Sequence, residues 1–232
     1  MSPADTMMVW PGLFVDPLAA GTEQQKGLPQ AMSDALRLLS LALFAVGPVV
    51  AVLALLRRRL EPSPMRSRIR GWRSVVPAVL LPAEWLLPPL LIALRIGEIE
   101  ARWLPLRAAA FAVGLAGAVL LTWSSVVLGR FMIHEAAVRD DHTLVRAGPY
   151  LLVRHPVYAG YLTLLFGSSV ASLNVCLWLL WPVSLTGILV QAASEEHLLK
   201  ERFDRDYECY IRLTGRLVPR PRRRAGEADS AS

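Results

Sequence analysis

Lysine is nearly missing from this chain. Of its 25 basic residues, only Lys26 and Lys200 are lysines, a bias that points to a G+C-rich, bacterial source. Cysteine is scarce as well, with Cys176 and Cys209 as the only two. The topology derived below sets them on opposite sides of a membrane, so no disulfide is expected. Two cysteines and four histidines show no metal-ligand spacing, which leaves no metal site to expect. A glycine-rich strand–turn–helix is missing, against an NAD-type site. No nucleophilic Ser or Cys sits in context with a His partner, against a hydrolase. The net charge is +6, yet no basic face is interleaved with aromatics, so nucleic acid is not an expected partner. The N-terminus lacks a basic region followed by a long apolar core, so no cleavable signal peptide is expected.

Apolar residues, in contrast, make up 54% of the 232 positions. Several runs approach the roughly 20 residues needed to cross a hydrocarbon core about 30 Å thick. The chain therefore reads as an all-α integral membrane protein of the bacterial cytoplasmic membrane, with about five transmembrane helices and membrane lipids as neighbours. Residues 1–33 mix Pro, Gly and Gln with isolated apolar residues and read as a loop or surface segment. Residues 34–129 hold spans 1–3, at about 34–56, 74–96 and 108–129. Spans 4 and 5, about 156–171 and 175–193, form a helical hairpin closed by Ser172-Leu173-Asn174. Residues 195–214 place Leu199, Phe203, Tyr207, Tyr210 and Ile211 at helical spacing opposite a charged face, which predicts a cytoplasmic C-terminal amphipathic helix with Gly215 as its cap. Residues 221–232 read as a disordered tail. Arg216, Arg220 and Arg222-Arg223-Arg224 suit anionic headgroups.

Orientation follows from charge. Between Arg57 and Arg73 there are seven Arg against Glu61, so this loop is expected in the cytoplasm and the N-terminus outside. An odd number of spans then returns the C-terminus to the cytoplasm. Glu84 in span 2 is either a functional acid or a hydrogen-bonding residue near a cavity. Gly114, Gly117 and Ala118 make a small-residue face suited to close helix packing.

Chemistry concentrates in residues 142–160, which hold His142, His155, Arg146, Arg154, Tyr150 and Tyr158. Pro156 suits the first turn of span 4, and His155 before it is pushed to an extended backbone. Spans of similar length joined by a three-residue turn must bring the start of one and the end of the other to the same membrane face. Arg154, His155 and Tyr158 should therefore meet Gln191, Glu195 and Glu196. Helix N-terminal amides and Arg154 suit a carboxylate. A glutamate suits an ammonium, and tyrosine rings suit a purine or a cation. S-adenosylmethionine carries all of these groups. Taken singly, each cluster also fits an interfacial anchor or a helix-dipole pair.

The residues His142-Thr143-Leu144-Val145, Gly148-x-Tyr150, Arg154-His155-Pro156-x-Tyr158-x-Gly160, Glu195-Glu196 and Phe203-x3-Tyr207-x2-Tyr210 resemble the isoprenylcysteine carboxyl methyltransferase family. Phospholipid methyltransferases share the looser pattern. The resemblance makes residues 130–220 a methyltransferase cofactor-binding region. It implies an enzyme that uses S-adenosyl-L-methionine and methylates a lipophilic acceptor drawn from the bilayer. The implied cofactor-binding residues are His142, Thr143, Leu144, Val145, Tyr150, His155, Pro156, Val157, Tyr158 and Glu195. Arg154 and Glu196 are the catalytic candidates, and Gln191 the substrate-binding one. The family's protein-methylating members carry an Arg four residues before the cofactor Glu, where this chain has Gln191. Two alternatives remain: an N- or O-methyltransferase of a phospholipid or small lipophilic molecule, and a non-catalytic membrane protein of the same fold.

Overall fold

A computed structural model of the chain describes residues 17–60, 65–68, 83, 85–99, 103–129, 137–139 and 143–220. Glu84, His142 and most of the first half of span 2 lie outside these residues. The described chain is mostly helical: α1 (Pro17–Phe44), α2 (Val46–Leu60), α3 (85–93), α4 (Leu104–Leu128), α5 (Pro156–Ala171) and α6 (Val175–Leu213). A short antiparallel pair, β1 (Met65–Arg68) with β2 (Ala137–Arg139), departs from the all-α expectation. It joins the chain after α2 to the chain after α4.

The first apolar run is longer and less regular than expected. Helix α1 begins at Pro17, inside the stretch read as a loop or surface segment, and the chain turns at Ala45 before α2. Pro48 explains the break. Its ring would clash with the carbonyl four residues earlier, at Phe44, and it donates no backbone hydrogen bond. Among the described residues, three segments are long and apolar enough to cross a membrane by length and composition: Gln30–Leu53, Leu104–Leu128 and Val175–Leu213. Their outward faces carry exposed apolar residues such as Val119, Trp123, Val126, Leu179 and Val183, the surface a lipid environment requires. Helix α5, the fourth expected span, has only 16 residues and so a length of about 24 Å at 1.5 Å per residue, short of a full crossing.

Helix α5 is held by backbone proximity to α4. A methyl at Gly117 would lie 2.4 Å from the Leu164 nitrogen, and one at Gly160 would lie 2.6 Å from the Leu121 nitrogen. At the other end, a methyl on Gly167 would meet the Gly114 nitrogen at 2.2 Å. The small face expected on span 3 thus meets a matching one on α5, and the two helices run antiparallel. Without a hydrophobic drive between helices in lipid, such close approach supplies the attraction through dispersion. Around this seam Phe44, Ile92, Leu121, Leu164, Leu165 and Leu177 form the buried core.

The hairpin turn is fixed at the opposite end from the polar cluster. The Asn174 side chain caps α6 by accepting from the Leu177 N–H at 3.2 Å, and its amide donates to the Ile96 carbonyl at 2.9 Å. Arg107 of α4 donates to the Ala171 carbonyl at 2.7 Å and also bonds Ser33 of α1. Helix α6 then runs for 39 residues, through Ser194-Glu195-Glu196, with a break inside it at Asp204. Asp204 has φ 41° and ψ −115°. The expected C-terminal helix is therefore a continuation of span 5 past this break. Cys176 and Cys209 sit at opposite ends of α6 and are free.

Candidate active site

The site forms where the open end of the α5–α6 hairpin meets the chain after α6. Its entry is a 3-10 turn, Gly148–Leu151, with Gly148 at φ 54°. Tyr150 is buried, and its carbonyl accepts from the Tyr210 hydroxyl at 2.6 Å. Burial, followed by the charge of Glu195, pushes the Tyr150 phenol above its ordinary range, so it stays protonated. Val153 then pairs with Gly215. Arg154 N–H donates to the Gly215 carbonyl at 2.8 Å, and His155 N–H to the Arg216 carbonyl at 3.0 Å. Gly215 is needed there because a methyl would lie 1.7 Å from the Val218 carbonyl oxygen. It acts as a pairing residue beyond the helix end, which Thr214 caps.

Pro156 opens α5 as expected, while His155 before it, at φ −124° and ψ 63°, is not in the extended conformation expected of it. Three residues on, the Tyr158 ring stacks on the His155 ring at 5.6 Å between centroids. The Tyr158 hydroxyl donates to Glu195 Oε1, and the Gln191 amide donates to the same oxygen at 2.9 Å. His155 bridges the adjacent carboxylates, with Nδ1 3.5 Å from Glu195 Oε2 and Nε2 3.3 Å from Glu196 Oε1. Burial alone would lower the His155 pKa. The bonds to Glu195 and Glu196 outweigh it, and the imidazole is held above its ordinary value.

Glu196 faces cations on three sides. Arg154 Nε donates to it at 3.0 Å, and Arg216 Nη2 donates at 2.5 Å, beside His155. Arg154 also donates to the Thr214 carbonyl at 2.5 Å and the Ile211 carbonyl at 3.3 Å. The bond to Glu196 raises the Arg216 pKa. A carboxylate so engaged can orient its neighbours and balance their charge. The Glu195 side chain is the more open of the two, at 23% exposed against 8%.

The hairpin thus brings together Arg154, His155, Tyr158, Gln191, Glu195 and Glu196. Pro156 is buried beneath them, and Val157 packs on the core. Thr143, Leu144 and Val145 lie in the irregular segment before the 3-10 turn. Among the described residues, none of the three joins the Glu195–Glu196 network. Two side chains carried less weight in the sequence than they do here. Arg216, read there as a headgroup contact, turns its guanidinium to Glu196. Tyr207 is 1% exposed, and its hydroxyl has no partner among the described residues. No spacing rule links Arg216 to Glu196, because the pairing depends on the chain doubling back after Leu213.

Residues 110–202 match the sequence profile of the isoprenylcysteine carboxyl methyltransferase (ICMT) family. Protein-S-isoprenylcysteine O-methyltransferase B of Arabidopsis thaliana is 30% identical over 106 residues, covering 44% of this chain and 54% of that one. Methanethiol S-methyltransferase of Pseudomonas deceptionensis is 28% identical over 190 residues, covering 68% of this chain and 66% of that one. The structure of the eukaryotic intramembrane Ras methyltransferase ICMT aligns with a TM-score of 0.44 and 24% identity, over 63% of this chain and 50% of that one. The chain spans about half the length of the isoprenylcysteine methyltransferases it matches. The hairpin that carries Arg154, His155, Tyr158, Gln191, Glu195 and Glu196 falls within the stretch, 110–202, that is similar to the isoprenylcysteine carboxyl methyltransferase family.

Proposed function

We propose that the chain is an S-adenosylmethionine-dependent methyltransferase of the membrane that acts on a lipophilic acceptor. The observation that carries the reading is Glu195: a partly open carboxylate, fixed by Tyr158, Gln191 and His155, where an apolar hairpin meets its polar end. The similar proteins are named for isoprenylcysteine O-methylation and for methanethiol S-methylation, and methyl transfer is what those names share.

The residues present fit the cofactor. Glu195 offers a carboxylate to its ammonium group. The stacked His155–Tyr158 pair offers a flat face to a purine. The unpartnered Tyr207 hydroxyl offers a donor to a carboxylate or ribose oxygen. The bound sulfonium supplies an already activated methyl group, so the protein has mainly to align and to exclude water. His155 keeps the two glutamates in fixed positions. Arg154 and Arg216 neutralise Glu196 and fasten the chain after α6 over the site. The acceptor enters from the bilayer between helices, and the cofactor enters from the cytoplasm, where the basic tail and the open end of the hairpin lie.

Equilibrium dialysis of detergent-purified protein against labelled S-adenosylmethionine is the direct test. Saturable binding that Glu195→Ala removes is the expected result. No saturable binding by the unaltered chain would leave the non-catalytic reading in its place.

A further inference from the structure

Gln191 is 5% exposed, and only one end of its amide is used. Nε2 donates to Glu195, while Oε1 is buried with no hydrogen-bond partner among the described residues. The amide cannot usefully turn over, because its oxygen would then face a carboxylate oxygen. A buried acceptor left empty costs free energy, so its natural complement is a donor brought by a ligand. Gln191 lies one turn before Glu195 on α6, about 6 Å deeper toward the apolar side by helical rise. That is the side from which a lipophilic acceptor arrives, and Glu195 already stands between Gln191 and the cytoplasm.

The arginines that border the site are committed elsewhere. Arg154 holds Glu196 and two carbonyls, Arg216 holds Glu196, and Arg146 holds the Asp206 carbonyl and the Tyr210 ring. A carboxylate acceptor would meet Gln191 Oε1 and Glu195, both hydrogen-bond acceptors. The potential bases are engaged too, since His155 bridges both glutamates and Arg154, His155 and Arg216 converge on Glu196. An alcohol needs a strong base, and an amine is largely protonated near neutral pH. Of the neutral acceptors a thiol is the most acidic and the strongest nucleophile, and it can offer its S–H to an amide oxygen before the proton leaves.

We infer that the acceptor is a neutral lipophilic thiol, whose S–H meets the Gln191 amide oxygen. The inference rests on the methyltransferase reading above and narrows its substrate class. In the balanced step, R–SH becomes R–S–CH3 and its proton passes to water. The electrons of the broken carbon–sulfur bond stay on the sulfur that held the methyl, which becomes a neutral thioether.

The test uses the full chain in detergent micelles with 1-dodecanethiol and dodecanoic acid as probes of equal chain length. Labelled methyl from S-adenosylmethionine should enter the thioether over the ester by on the order of 100-fold. Gln191→Met should raise KM for the thiol about 5-fold beyond any rise in cofactor Kd, since the same change also removes the Gln191 donor to Glu195. Without cofactor, the thiol should raise the thermal midpoint of the unaltered chain more than that of Gln191→Met. Cofactor binding with label in the ester, or in neither probe, overturns the thiol inference alone. Absence of cofactor binding overturns the methyltransferase reading and this inference with it. The two-probe comparison needs no variant, so it stands even if Gln191→Met fails to fold.

Discussion

Arg154 Nε lies 3.0 Å from Glu196 Oε1, although 42 residues separate the two in sequence. Both side chains are about nine-tenths buried, and Arg154 reaches on to the carbonyls at the end of α6. One guanidinium thus joins the start of α5, the middle of α6 and the chain beyond it. Removing one partner from such a pair strands the other in a poorly solvated place.

Glu196→Gln should therefore cost about 3 kcal/mol of stability, the usual penalty for an orphaned buried charge. Arg216→Ala should cost about 1 kcal/mol at most, because its side chain is 39% exposed and solvent screens the pair. Denaturant titration in mixed micelles measures both. Equal losses would mean that Arg154 is not the dominant partner.

Tyr158→Phe removes one hydroxyl and keeps the ring stacked on His155. The hydroxyl bonds a charged carboxylate, for which about 1.5 kcal/mol, or roughly 10-fold in cofactor Kd, is a typical loss. Isothermal titration of S-adenosylmethionine reads it. An unchanged Kd would place the cofactor away from Glu195.

Gly160→Ala puts a methyl 2.6 Å from the Leu121 nitrogen, against backbone that cannot rotate away. A loss of about 2 kcal/mol or more is expected from overpacking the α4–α5 seam. Gly129→Ala meets nothing within 4 Å and carries only the strain of φ 57°, so about 1 kcal/mol is expected. Thermal melts of the two variants should rank in that order.

His155 gives a pH dependence with a definite sign. Its folded pKa is raised above the ordinary 6.5, so the folded state holds the proton more tightly than the unfolded one. The stability this contributes is fully present below about pH 6.5 and is lost as pH rises through the raised folded value. Unfolding curves from pH 6 upward should show the decline, and His155→Gln should flatten it. A profile unaffected by that change would mean the carboxylates do not share the imidazole proton.

Several features were open to reading from the residues. Pro156 fixed the start of α5, because a first-turn residue needs no backbone donor. Asn174 ended the hairpin turn, and the matched lengths of the two arms told which side chains would meet. Gly114 and Gly117 marked the close seam. Harder to read were features that balance local preference against contacts elsewhere. The first span divides at Ala45 because Pro48 falls within an otherwise uniform apolar run. Helix α5 stops short of a full crossing, while α6 runs on past the expected end of its span.

Composition and spacing by themselves determined that this chain lies in a membrane, that its densest polar cluster sits at the open end of one hairpin, and that Glu195 and Glu196 face His155. Those are consequences of hydrophobicity, helix period and turn length, all local. The tertiary structure alone decided how two neighbouring glutamates divide their roles. Arg154 and Arg216 converge on Glu196, while Tyr158 and Gln191 hold Glu195 and leave one amide oxygen empty. That division depends on which donors reach each oxygen after the chain turns back beyond Leu213, and no periodicity in the sequence encodes that return.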